Sequence, residues 1–489
     1  MNYLEYFYEI SKISRPSGSC SEIADYLCDF AKANGLDYTR DHMDNVIIRK
    51  DATAGYEDHD AVMLQGHTDM VCCCDDGVEC DFSNGVEIIN DGEYLTANGT
   101  TLGADNGIAV AYMLALLSDS TIVHPALECV FTSDEETGLF GADAIDLSSS
   151  KAKYLINMDS EEEGIITAGC CGGLRMNIDF DGGKKEFVSG PVYRLTVTGL
   201  KGGHSGVNID NFVEVRVNAI IAATHAMKIM EEIPSYRLVS IDGGEKDNAI
   251  PRSCTITVCG GNYEQMKSAV DLVAPGIVAG SPEGKVTFEK ISDDGAEAFS
   301  QEFTNTIIDY FCGVPNGVLD RCPDEPGLPP TISDNFGVVK TNGNSVNVTL
   351  SFRAYDDSYR DRLSEKAAHI SRQCGAKVEI VGKYPGWDKT PTSALRDKMC
   401  EVWKNLTGEE MKVQRIHAGL ECGVLISKKP DLDAASIGPD MSDVHTPKEK
   451  LNLASAQRCY GLIVELLKNI KKETSCILNA RGFLWRYCY

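Results

Sequence analysis

The 489-residue chain carries 46 Lys and Arg against 73 Asp and Glu, a formal charge of −27 at pH 7. That balance argues against a nucleic-acid backbone or an anionic membrane surface as partner, and the length predicts two or three domains around a sizeable core. With 43% hydrophobic and 24% charged residues the composition is that of an ordinary globular protein, and no window approaches the roughly 20 apolar residues of a spanning helix.

The opening segment, MNYLEYFYEISKISRPSGS, lacks a basic region followed by an apolar stretch and a small-residue cleavage site. No secretory signal is therefore expected, and the expected location is the cytoplasm. Ser19-Cys20-Ser21-Glu22 can form a capping box ahead of Ile23, Tyr26, Leu27 and Phe30, which share one helical face, and Gly35 then stops the helix. Three short apolar runs, at 61–64, 127–131 and 154–158, predict strands. Residues 107–117 (GIAVAYMLALL) are apolar nearly all round and predict a buried helix. Strands alternating with helices predict a largely parallel α/β sheet.

From about residue 190 the pattern changes. A strand at 192–200, a helix at 211–233, paired strands at 237–241 and 254–259, a helix at 263–278 and a strand at 285–291 give the order β-α-β-β-α-β, the split motif of ferredoxin-like domains. A second, less regular round follows: strand 345–355, helix 358–372, strand 376–381. After Tyr384-Pro385-Gly386-Trp387 the first pattern returns and ends in an amphipathic helix at 455–472. The expected organisation is an α/β domain with a mostly parallel sheet (1–187 and 385–472), interrupted by an inserted, ferredoxin-like α+β domain that could be duplicated (188–384). Residues 473–489 are expected to be a poorly ordered appended tail. The nineteen cysteines are scattered, with no CxxC pair, and are expected to be reduced, buried thiols.

In open parallel sheets ligands bind beyond the carboxyl ends of the strands. Each apolar run leads there to a candidate metal ligand: 61–64 to His67 and Asp69, 127–131 to Asp134-Glu135-Glu136, 154–158 to Asp159. Asp105 stands directly before the buried helix, and His445 belongs to a late loop, GPDMSDVHTP. Singly, each has a plain structural reading as a hydrogen-bonded histidine, a helix-capping aspartate or a solvated acid. Jointly, imidazoles and carboxylates at one edge suit zinc or a related ion, and five candidates are what two metals sharing one carboxylate need. In VFTSDEETGLFG two glutamates stand side by side where a strand ends, which raises the question whether one holds something and the other acts on it. No HExxH is present, so a helix-borne single-zinc mechanism is not supported.

GHTDMV, TTLGADNG, TSDEETG, NMDSEE, GGHSG and GPDMSDVHTP together resemble the dinuclear-zinc exopeptidases of the aminoacylase/carboxypeptidase G family. GADNG, HAGLECG and the long insert are most similar to its aminoacyl-histidine dipeptidase branch, and the likeness runs from near the N-terminus to about Lys472. The resemblance implies that Asp105 bridges two divalent ions, zinc first, with manganese or cobalt as alternatives. Glu136 and His445 would complete one ion's ligands, His67 and Asp159 the other's. Aspartate rather than glutamate at 159 goes with the dipeptidase and aminopeptidase branch. Asp69 would accept the second N–H of His67, and the Asp105-Asn106 peptide would be cis. Glu135 would take a proton from the attacking water and pass it to the leaving amine.

From the insert, the resemblance implies that His204 donates to the oxyanion and that Asn248 and Arg353 receive the substrate's carboxylate. Gly419 would bring backbone close to the substrate, and Glu421 would bind its free amine. The expected activity is hydrolysis of unblocked dipeptides, Xaa-His and β-alanyl-histidine included, under a lid that closes over short substrates. Family members often pair through the insert, so a homodimer is one option; a site completed within one chain is the other. The competing readings are an N-acyl-amino-acid deacylase or tripeptide aminopeptidase of the same fold, and a non-catalytic peptide- or metal-binding protein. The last predicts a broken ligand set or a missing base, and here all five ligands, Asp69 and Glu135 are present.

Overall fold

A computed structural model describes residues 1–470 except 76, 78–79, 210–215, 231–235 and 324–328. The chain forms two compact units. One comprises Met1–Ile166, Pro391–Val413 and the chain from Lys428 onward; the other comprises Thr167–Thr390 and Gln414–Ser427. Among the described residues no helix is long and apolar enough to cross a membrane.

Six strands of the first unit's sheet lie in the spatial order Asp37–Arg40, Val46–Lys50, Leu127–Thr132, Ala61–His67, Ala152–Asn157, Asp433–Ser436. The first two join antiparallel, and the last four run parallel to one another. The sheet is therefore mixed, with the expected parallel strands at its centre. The helix Ala104–Ser118 is buried all round, and its apolar side chains join those of Tyr3–Ile10 and Leu453–Asn469 in one core. Each large apolar side chain buried there contributes about 1.5–3 kcal/mol, which fixes the turn at the helix's start against the sheet's carboxyl edge.

Helix ends show where local signals succeed and fail. Ser21–Ala33 ends as expected before Gly35, which takes a left-handed conformation (φ +66). It does not start with a capping box. Cys20 occupies the capping position and makes no side-chain cap, because a thiol is a poor acceptor and Ser19 stands one residue too far out. The capping box is instead at Asn2 and Glu5, ahead of Tyr3–Ile10. The terminal helix, Leu453–Asn469, starts at the side-chain cap of Asn452 rather than at Ser455, and the tail at 473–489 lies outside the described residues.

In the second unit, Val192–Thr198, Ala219–Ile229, Tyr236–Gly243, Cys254–Gly260, Tyr263–Val278 and Lys285–Ser292 follow in β-α-β-β-α-β order. The four strands lie fourth-first-third-second and pair antiparallel throughout. The helix expected at 211–233 begins later, at Ala219, because the Asn218 side chain accepts the Ile220 and Ile221 amides; 210–215 and 231–235 lie outside the described residues. The sheet continues through Pro330–Asn342, Ser345–Ala354, Gly172–Asp181 and Lys377–Tyr384, again second-third-first-fourth. This second set encloses the first in sequence, with its own first strand, Gly172–Asp181, preceding it. Only Cys171 separates that strand from Ile165–Cys170, so the two read as one run in the sequence.

One cysteine pair departs from the expectation of free thiols. Cys74 and Cys80 are disulfide-bonded, the left-handed Gly77 (φ +81) lying in a turn between them and their Cα atoms 6.2 Å apart. The other fifteen cysteines of the described residues are free.

Candidate active site

Ala61–His67 ends on His67, while Leu127–Thr132 leads into Glu135 and Glu136 and Ala152–Asn157 into Asp159. Because these three strands run parallel, their carboxyl ends share one edge. Asp105 enters from the first turn of Ala104–Ser118, and His445 from the loop beyond Asp433–Ser436.

His67 Nε2 lies 3.0 Å from Asp105 Oδ1 and 3.5 Å from Asp159 Oδ1. His445 Nε2 lies 2.9 Å from both Asp105 Oδ2 and Glu136 Oε1. The two oxygens of Asp105 thus face different histidines. Ligand atoms of His67, Asp105 and Asp159 all lie within 4.8 Å of one another; the same holds for Asp105, Glu136 and His445, and for His67, Glu135 and Glu136. Ligand atoms about 2.0–2.2 Å from a tetrahedral ion are roughly 3.3–3.5 Å apart, so small adjustments of the measured 2.9–3.5 Å separations fit two such ions sharing Asp105. The Asp105-Asn106 peptide is cis.

The electrostatics of the cluster point the same way. Burial lifts the Asp159 carboxyl to about 7, helped by the charges of Asp105 and Glu136 and opposed by His67. Burial also raises Glu136. Asp105 moves against its own burial, held far below the usual carboxylate range by hydrogen bonds from both histidines. Against the effect of its burial, His445 is pushed up to about 11 by Asp105 and Glu136. The buried carboxylates thus favour positive charge in their midst, the property a cation site needs.

Asp69 is fully buried. Its Oδ1 is 3.4 Å from His67 Nδ1, while its own carbonyl oxygen is closer, at 3.1 Å. The carboxylate also accepts the Ser17 hydroxyl (2.7 Å) and the amides of Glu135 (3.1 Å) and Glu136 (3.3 Å). One acid thereby ties the His67 turn to the backbone of both glutamates.

Two buried charges here escaped sequence reasoning. Glu449, 2% exposed, accepts the amides of Leu102 and Gly103 on Oε2 (2.8 and 2.9 Å) and of Ala104 and Asp105 on Oε1 (2.8 and 3.3 Å). Arg15, also 2% exposed, donates to the carbonyls of Thr68 (3.0 Å), Asp69 (3.3 Å) and Gly103 (2.6 Å). In the sequence Glu449 resembles a solvated loop acid; the only hint is its place four residues after His445.

In the second unit, Gly203–His204 pairs with Ala249–Ile250, and the Ser205 amide donates to the Asn248 carbonyl at 2.8 Å. His204 Nδ1 accepts the amides of Gly206 (3.3 Å) and Val207 (3.2 Å), which puts the ring proton of the neutral imidazole on Nε2. Arg353, on Ser345–Ala354, donates through Nη1 to Tyr384 Oη at 3.0 Å, and its Nη2 lies 3.5 Å from His204 Nε2. Its Nε is buried without a hydrogen-bond partner. Gly419 sits in a loop anchored by His417, whose Nε2 is 2.7 Å from Ser333 Oγ and whose Nδ1 is 3.1 Å from Cys171 Sγ. Glu421, expected at the substrate's amine, is fully buried as the first residue of Glu421–Lys428.

Residues 63–469 match peptidase family M20/M25/M40. The chain is 35% identical over 476 residues to the cytosol non-specific dipeptidase of Escherichia coli (strain K12), covering 95% of this chain and 96% of the relative. It is similar to the crystal structure of aminoacylhistidine dipeptidase from Vibrio alginolyticus, with a TM-score of 0.82 and 32% identity over 96% of this chain and 97% of the other. Aminopeptidase PepT from Bacillus cereus ATCC 10987 (TM-score 0.56, 15% identity, 96% of this chain and 98% of that one) shares the fold.

Proposed function

The chain belongs to peptidase family M20/M25/M40 and is a dipeptidase of that family, a peptide-bond hydrolase, and we propose that it uses two divalent ions bridged by Asp105. His67 and Asp159 hold one, Glu136 and His445 the other, with zinc the first choice and manganese or cobalt able to use the same ligands. The observation that carries this assignment is the pair of donor triads sharing Asp105, with Glu135 in reach of His67 and Glu136. Bound ions of this kind lower the pKa of water and polarise a scissile carbonyl.

The chain's own groups do the rest. Glu135, which need not serve as a ligand, accepts the proton of the attacking water on its carboxylate and delivers it to the leaving amine. Asp69 holds the His67 turn and the Glu135–Glu136 backbone in one frame. His204 presents Nε2–H to the developing oxyanion. Arg353 and Asn248 receive the terminal carboxylate. In support, no Asp or Glu of the described residues pairs with Arg353, which leaves its guanidinium charge to be met by a substrate anion.

The preferred substrates are unblocked dipeptides, Xaa-His and β-alanyl-histidine among them. The second unit, with its twofold ferredoxin-like strand order, serves as the lid and as the surface for a homodimer. The name of the Escherichia coli relative supports a cytoplasmic location. The test is Glu135→Gln, with ion content measured alongside turnover of free and N-acetylated dipeptides. Lost turnover with both ions retained, and a parent that cleaves only free dipeptides, is the expected result. Retained turnover would remove Glu135 as base, and preferred cleavage of the acetylated compounds would favour a deacylase.

A further inference from the structure

We propose that Tyr384 is a positioning residue whose hydroxyl fixes the Arg353 guanidinium and so sets the preference for substrates ending in a free carboxylate. The inference rests on the reading of Arg353 as the carboxylate's receptor.

Three adjacent strands build the arrangement. Gly173, on Gly172–Asp181, is the register partner of Arg353 on one side and of Tyr384 on the other. Directly opposed residues of neighbouring antiparallel strands project from the same face, so the Arg and Tyr side chains can meet only over the residue between them. That residue has no side chain. A Cβ on Gly173 would fall 2.4 Å from Tyr384 Oη and 2.5 Å from Cζ. The register slips between Val381 and Tyr384, where Gly382 is left-handed (φ +59), a local irregularity of the kind that re-aims a side chain.

The other side of the ring is equally specified. A Cβ on Gly419 would fall 2.7 Å from Tyr384 Cε2 and 3.0 Å from Oη. Two glycines from separate segments therefore leave a slot for one aromatic ring. The absence of a side chain at Gly419 has a reason inside the unit, beyond any approach of substrate. What the slot achieves is the placement of one oxygen 3.0 Å from Arg353 Nη1. Among the described residues Nε has no partner and Nη2 lies beside His204, so that hydroxyl is the one acceptor they offer the guanidinium. A long arginine side chain loses much rotamer freedom when it binds an anion, and prior fixation by Tyr384 lessens that loss.

The experiment uses the full-length, metal-replete protein and two matched substrates, a dipeptide with a free carboxylate and the same dipeptide as its amide. Tyr384→Phe keeps the ring in its slot and removes one oxygen, so the fold is retained and the thermal midpoint stays close to the parent's. The expected result is a KM about tenfold higher for the free acid, kcat within about twofold, and no change for the amide. Arg353→Gln should raise KM for the free acid further, again sparing the amide, and Tyr384→Phe added to it should cost nothing more. If Arg353→Gln is selective but Tyr384→Phe is silent or affects both substrates alike, Tyr384 merely packs and the inference falls alone. If Arg353→Gln shows no selectivity, the carboxylate reading of Arg353 falls and the inference with it.

Discussion

Glu449 and Asp105 stand 344 residues apart and meet through the main chain: the Asp105 amide donates to Glu449 Oε1, and the amides of Leu102, Gly103 and Ala104 converge on the same carboxylate. Gly103 offers no side-chain cap to the helix it precedes, so a distant acid supplies one. Glu449→Gln would turn an amide NH2 toward backbone donors. It should lower the unfolding free energy by about 1–3 kcal/mol and weaken metal binding roughly 10–100-fold. Denaturant unfolding and ion content after dialysis against a competing chelator measure the two effects. Unchanged ion retention would mean that Asp105 holds its place without Glu449.

Asp105 and Asp159 differ in what their loss should do, because one faces both histidines and the other only His67. Asp105→Asn removes the shared anion, and elemental analysis should find fewer than about one ion per chain. Asp159→Asn should leave about one, since Asp105, Glu136 and His445 remain a triad. Equal losses in the two variants would contradict the sharing of Asp105.

The contrast between these groups explains what the sequence made legible. His67, Glu135, Glu136 and Asp159 follow apolar runs whose period and length announce strands, so local pattern and residue type sufficed to gather them. Glu449 and Arg15 spend their charges on backbone amides and carbonyls of remote turns, and a backbone group leaves no mark in sequence. Gly172–Asp181 was hidden for a different reason: its alternation begins one residue after another strand ends. Tyr384 was visible only as punctuation before Pro385, since its meaning depends on two glycines in other segments.

Among the described residues no carboxylate lies within hydrogen-bonding distance of Arg15; burial lowers its pKa while the charges of Glu449 and Asp69 raise it. Removing the guanidinium strands three carbonyls and leaves both acids less compensated. Arg15→Met should destabilise the fold by about 3–5 kcal/mol, read by urea unfolding, and Arg15→Lys should recover only part, since one ammonium cannot span the Thr68 and Gly103 carbonyls as the planar fork does. A stability within about 1 kcal/mol of the parent for Arg15→Met would show that the carbonyls find other donors.

His204 is held by two turn amides at Nδ1, so its contribution should be confined to the reacting oxygen. His204→Ala is expected to lower kcat by about 10²–10³ with KM changed only a few-fold, and to leave ion content untouched. A loss confined to KM would make His204 a binding group instead.

Asp334 lies buried in Pro330–Asn342, and burial lifts its carboxyl well above the usual carboxylate range, against amide hydrogen bonds from Gly317 and its own residue. The consequence for stability has a definite sign. Between the unfolded-state value near 4 and the higher folded-state value, the folded chain keeps a proton that the unfolded chain has released, so this residue's contribution is full below about pH 4 and is lost as pH rises. Asp334→Asn keeps the shape and removes the titration. The stability difference, variant minus parent, should therefore climb from about pH 4 towards neutrality, as followed by urea unfolding at a series of pH values. The carboxylates clustered around Asp105 are the same in both proteins and cancel in that difference, so a flat profile would place no raised carboxyl at residue 334.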